Sequence, residues 1–121
     1  MKEVLMKEMS FAFAVRIVNV YKLLVQERKE FVIGKQLLRS GTSIGANIRE
    51  AQNAESTADF IHKLAIAQKE CDETRYWLEL LHATDFLSQK EYDSISLDAT
   101  ALLKVIRSSI ITSKQNKDKQ K

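Results

Sequence analysis

The chain has no proline and only three glycines in 121 residues, and no other feature narrows its fold as far. A β-sandwich or barrel of this length needs a turn residue roughly every ten positions, so few, long elements are expected. Alanine, leucine, lysine and glutamate, which favour helix, are abundant, and isoleucine, a middling helix former, accompanies them. The expected fold class is all-α, in one domain. A chain of this length buries about two thirds of its unfolded surface without needing a second unit.

Periodicity divides the chain into four helices. Phe11, Ala14, Ile17, Val18, Tyr21, Leu24 and Val25 have partners three and four residues apart, as one helix face does. They give a helix over about 10–26, and the segment before Ser10 either extends it or frays. Ile33, Leu37, Gly41, Ile44, Ile48 and Ala51 hold one face over about 31–53. Residues 39–45 have weak helix preference, so a break near Gly41 is the alternative. Gly41 and Gly45 lie four apart, and small residues on neighbouring turns let another helix approach closely.

Ser56 with Asp59, and Ser88 with Glu91, have capping-box spacing and start helices over about 57–84 and 89–112. In the third helix, Phe60, Leu64, Ala67, Cys71, Thr74, Leu78 and Leu81 alternate steps of four and three, the spacing of helices packed at about +20°. The fourth carries Tyr92, Ile95, Ala99, Leu102, Ile106 and Ile110. Short connections make sequential helices antiparallel neighbours. The expected architecture is therefore an up-down-up-down antiparallel four-helix bundle over 1–113, with 114–121 a disordered lysine-rich tail.

The net charge is +3. Lys114, Lys117, Lys119 and Lys121 against Asp118 supply all of it, and the first 113 residues balance at 15 basic and 15 acidic. The alkaline character thus belongs to the end of the chain, and it does not by itself give the body a basic face. Cys71 is the only cysteine, which excludes an intramolecular disulfide and suggests a cytoplasmic protein. The apolar stretches 11–15 and 17–21 are cut by Arg16 and bounded by Lys22, too short and too charged for a signal segment or a membrane span.

Chemistry-bearing patterns are weak. Asp59-Phe60-Ile61-His62 and Glu79-Leu80-Leu81-His82 resemble metal-binding bundle motifs. They lie 20 residues apart on one helix, about 30 Å, and so cannot share an ion within one chain. Cys71 sits on a packing seam, where a small buried hydrophobe is expected. Residues 41–47 lack both the preceding strand and the Gly-Lys-Ser/Thr ending of a phosphate loop. No enzyme activity, metal or cofactor is expected. Phe13, Val15, Val20, Ile66, Trp77 and Leu80 fall off the main seams and are candidates for packing against another subunit; a wider core stripe is the other reading. Arg28, Lys29, Lys35, Arg39 and Arg49 are candidates for nucleic-acid contact. Glu50 and Glu55 follow closely and no aromatic residue is interleaved, so an ordinary solvated face competes with that reading.

The stretch 35–51 followed by 59–80 resembles the bacterial four-helix bundle family named for open reading frames in 23S rRNA intervening sequences. Arg39, Ser43, Ile44, Asn47, Ile48 and Glu50 are the most specific part of the likeness, which spans Phe11 to about Ile111. Ala51 stands where many relatives have glycine, and the proline often found before the second helix is absent. The resemblance implies a four-helix bundle assembling as a ring, typically a homopentamer. It is also similar to the accessory protein of diversity-generating retroelements, which contacts nucleic acid and a reverse transcriptase. The functional expectation is a non-enzymatic oligomeric scaffold that binds RNA or other nucleic acid. The alternative is a module recruiting a partner protein such as a reverse transcriptase.

Overall fold

The computed structural model describes residues 1–119. Four helices follow one another: α1 Lys2–Gln26, α2 Ile33–Gln52, α3 Thr57–Ala83 and α4 Gln89–Lys119. Each packs on its neighbours in chain order and α4 closes back on α1, whereas the diagonal pairs do not pack. The order of contacts fixes the directions. Gly34, Gly41 and Gly45 of α2 approach Leu24, Ile17 and Ser10 of α1 in turn, and Lys2, Arg16 and Arg28 reach Ser108, Asp98 and Glu91 of α4. Both pairs run antiparallel, so the expected bundle is the observed one.

Most of the predicted seam positions form the core; Phe11 does not, at 59% exposure, because the inward line of α1 runs through Met6, Ser10, Phe13, Ile17 and Leu24. Ile17, Leu24, Leu37, Ile44, Ile48, Leu64, Ala67, Cys71, Leu81, Ala99 and Ile106 are all fully buried. Every buried side-chain nitrogen and oxygen among the described residues has a hydrogen-bond partner, as a well-formed interior requires.

Two boundaries differ from expectation. α1 begins at Lys2, because buried Met6 and Ser10 extend its inner face by two turns. α4 runs to Lys119, so 114–119 of the expected disordered tail is helical. Lysine and glutamine favour helix, and Ser113 and Lys117 are half-buried at the bundle's end. The rest of that tail, 120–121, lies outside the described residues. α2 is unbroken at Gly41.

The helix ends are held by local chemistry. Glu91 N–H donates to Ser88 Oγ at 3.2 Å and Ser88 N–H to Glu91 Oε1 at 2.8 Å, a complete capping box. Asp59 N–H donates to Ser56 Oγ at 3.0 Å. No sequence signal announced the cap on α2, where the buried Glu30 carboxylate accepts from the N–H groups of Val32, Ile33 and Gly34 at 3.1, 2.9 and 2.6 Å. An anion suits that positive helix end.

Candidate functional site

Two of the residues singled out as a signature, Arg39 and Glu50, tie α2 to α3, the most extensive helix pair in the molecule. Ile44 and Ile48 are fully buried. Ser43 Oγ donates to Arg39 O at 2.6 Å and Asn47 Nδ2 to Ser43 O at 2.8 Å, which ties these polar groups to their own helix. Arg39 forks onto α3, with Nη1 2.9 Å from Glu70 Oε2 and Nη2 on Glu73 Oε1. Its hydrogen bond is the main cause holding the Glu73 carboxyl below its ordinary value. Glu50 meets Lys63 at 3.5 Å. Beside the Arg39 pairs, the buried Ser40 and Thr74 hydroxyls meet at 2.9 Å. The pattern holds two helices in register, which is a structural task.

The five candidate nucleic-acid residues do not share a patch. Arg28 grips Glu91 with two hydrogen bonds of 2.6 and 2.8 Å and donates to Phe86 O at 2.7 Å. This pairing, with the Ser88 N–H behind it, lowers the Glu91 carboxyl to about 2. Arg39 is committed to its two glutamates. Lys29, in a left-handed turn at φ 58°, donates to Gln26 O at 3.0 Å. Lys35 is exposed. Arg49 lies 5.6 Å over the Phe11 ring, a cation–π contact about 21 Å along α2 from Lys35 at 1.5 Å per residue.

The candidate subunit-interface residues also divide. Phe13 is 2% exposed and packs in the core, leaving no surface for a second copy. Val20 and Trp77 are half-buried against the core, and Trp77 Nε1 donates to Glu73 at 3.2 Å. Ile66 and Leu80 are half-buried. The exposed apolar residues on α1 are instead Val4, Leu5, Phe11 and Val15, with Phe31, Val32, Tyr76, Leu97 and Ile111 elsewhere. Of these, Val15 stood out in the sequence as an off-seam residue and Phe11 as a seam residue, and the structure turns both to solvent.

No group of three His, Cys, Asp or Glu residues that could hold a metal ion occurs among the described residues. Cys71 is buried with Sγ 3.5 Å from Ala99 O, and burial pushes its thiol up to about 12, far from a thiolate at neutral pH. No described helix is long and apolar enough to cross a membrane.

The family model described as 23S rRNA-intervening sequence protein matches residues 2–108. The chain belongs to that family. Among solved structures it is similar to a protein of unknown function from the S23 ribosomal protein family of Bacteroides thetaiotaomicron VPI-5482, at 59% identity and a TM-score of 0.90, covering 91% of this chain and 98% of that one. No curated protein matches. In this intervening-sequence protein the signature residues thus hold the bundle together, and the family match ends within α4, before the lysine-rich last turns.

Proposed function

We propose that this protein is a non-enzymatic oligomeric scaffold that binds RNA, with ribosomal RNA the target class that the family's description suggests. The observation supporting the oligomer is α1, which carries apolar residues on its outward side as well as its inward one. A second apolar stripe is what a helix packed on two sides needs. The inward face of α1 is filled by Met6, Phe13, Ile17 and Leu24, yet Val4, Phe11 and Val15 face outward at 55, 59 and 46% exposure. Packing of copies through this stripe removes it from water at about 25 cal/mol per Å², and the ring of five implied by the resemblance repeats any weak RNA contact around its circumference. Repetition raises avidity without new contacts.

The test is assembly state by light scattering at micromolar concentration. The full chain is expected to be oligomeric, and Phe11→Gln with Val15→Glu is expected to shift it to monomer with its helical circular dichroism retained. A monomeric wild-type chain defeats the scaffold reading, and an assembly unmoved by the double variant defeats the assignment to α1.

A further inference from the structure

Charge is divided unequally along the chain. Thirteen basic and 15 acidic residues precede Ala99, whereas six basic and one acidic follow from there, giving net charges of −2 and +5. Because α4 continues to Lys119, most of the positive charge is arrayed on a helix, and no carboxylate interrupts α4 between Asp98 and Asp118. Lys104, Arg107 and Lys114 are exposed. They fall on adjoining outward positions of α4, spread over about 15 Å of helix at 1.5 Å per residue.

Lys2 joins them from α1, its Nζ 2.8 Å from Ser108 Oγ and 3.0 Å from Thr112 Oγ1. Acidic neighbours do not cancel the set. Asp72 lies 3.9 Å from Arg107 but is shared with Arg75 at 3.7 Å, leaving two arginines on one carboxylate. Asp118 lines a shallow depression together with Lys114 and Lys117. The contrast with α2 is direct, since Arg39 there faces two glutamates of its own.

Resting on the RNA-binding reading above, we infer that the outward face of the second half of α4, with Lys104, Arg107 and Lys114 and the adjacent Lys2, is where the chain takes the phosphate backbone of RNA. The face offers cations and hydroxyls, which position a phosphate backbone. It offers no aromatic residue between Leu97 and Lys117, so bases have nothing to stack on and the contact is blind to sequence. Leu97 and Ile111 are exposed on the same face. They are the feature a protein partner would use instead.

The experiment titrates a structured RNA hairpin with the full chain and follows fluorescence anisotropy at about 50 and 200 mM KCl, where phosphate contacts lose affinity steeply with salt. Lys104→Glu/Arg107→Glu/Lys114→Glu is expected to weaken binding at least ~10-fold and to flatten the salt dependence. Lys35→Glu/Arg49→Glu is expected to keep wild-type affinity. A wild-type chain that binds no RNA at the lower salt overturns the RNA-binding reading itself. If wild type binds and the triple variant binds equally, only the assignment to α4 falls. It falls also if the α2 variant loses as much, or if the triple variant loses its assembly by light scattering, which makes the face a protein interface.

Discussion

The two flanks of α1 are held by different physics. Toward α2 it meets glycine: a Cβ on Gly41 would stand 2.8 Å from both Ile17 Cγ1 and Cγ2, and one on Gly45 3.4 Å from Ser10 Oγ. The helices approach until α2's backbone touches α1's side chains, and the contact is broad. Toward α4 the contact is the thinnest in the bundle and is spanned by long polar side chains, Lys2 on Ser108, Arg16 on Ser94 and Asp98, Arg28 on Glu91. Between the last two lies an open groove of about 290 Å³ bordered by Val20, Leu23, Leu87 and Ile95. A seam closed by sterics resists added atoms at its closest approach, whereas one closed by bridging charges answers to pH and salt.

Substituting Gly41 should break the first flank most strongly. Gly41→Ala forces its methyl into Ile17, which is fully buried and branched at Cβ, so a loss of about 1–3 kcal/mol in urea unfolding is expected. Gly45→Ala meets only ordinary contact and should gain up to about 1 kcal/mol from the better helix former. Equal effects of the two would show that close approach at Ile17 is not what sets this seam.

On the α4 flank the larger effect belongs to Glu91, which caps α4 and pairs with Arg28 at once. Glu91→Ala is expected to cost about 1–2 kcal/mol, the range of a lost cap plus a partly screened pair whose side chains are a third exposed. Its folded value is depressed from 4.5 to about 2, so its contribution is complete above pH 4.5 and is lost as pH falls toward 2. Urea midpoints measured across that window should fall for wild type and flatten for the variant. The smallest change is expected at Arg16 and Asp98, exposed at 39 and 48%. Asp98→Asn should cost no more than about 0.5 kcal/mol and should vanish in high salt. A salt-resistant loss would mean the pair is tighter than its exposure implies.

The seams and helix count were legible because apolar spacing repeats with the helix itself. Ile44, Ile48, Leu64 and Ala67 were placed in the core from position alone and are fully buried. Helix ends were less legible, since the extent of α1 back to Lys2 and of α4 to Lys119 depends on what the flanking turns touch. The Arg28 and Arg39 calculus of charge was legible least. Their carboxylate partners lie 63 and 31 to 34 residues away in sequence, so nothing local distinguishes a paired arginine from a free one.

By itself, then, the sequence determined an all-helical chain, its four amphipathic stripes, the two serine caps and the family signature, all of which are written in spacings shorter than two helical turns. Only the tertiary structure decided which cations are spent on internal pairs, that Phe13 faces inward while Phe11 faces out, that Gly41 is a contact with Ile17, and that Lys114, Lys117 and Lys119 continue a helix. These depend on which helices become neighbours, and the azimuth of a side chain relative to a partner helix is a property of the packed bundle and not of any one segment.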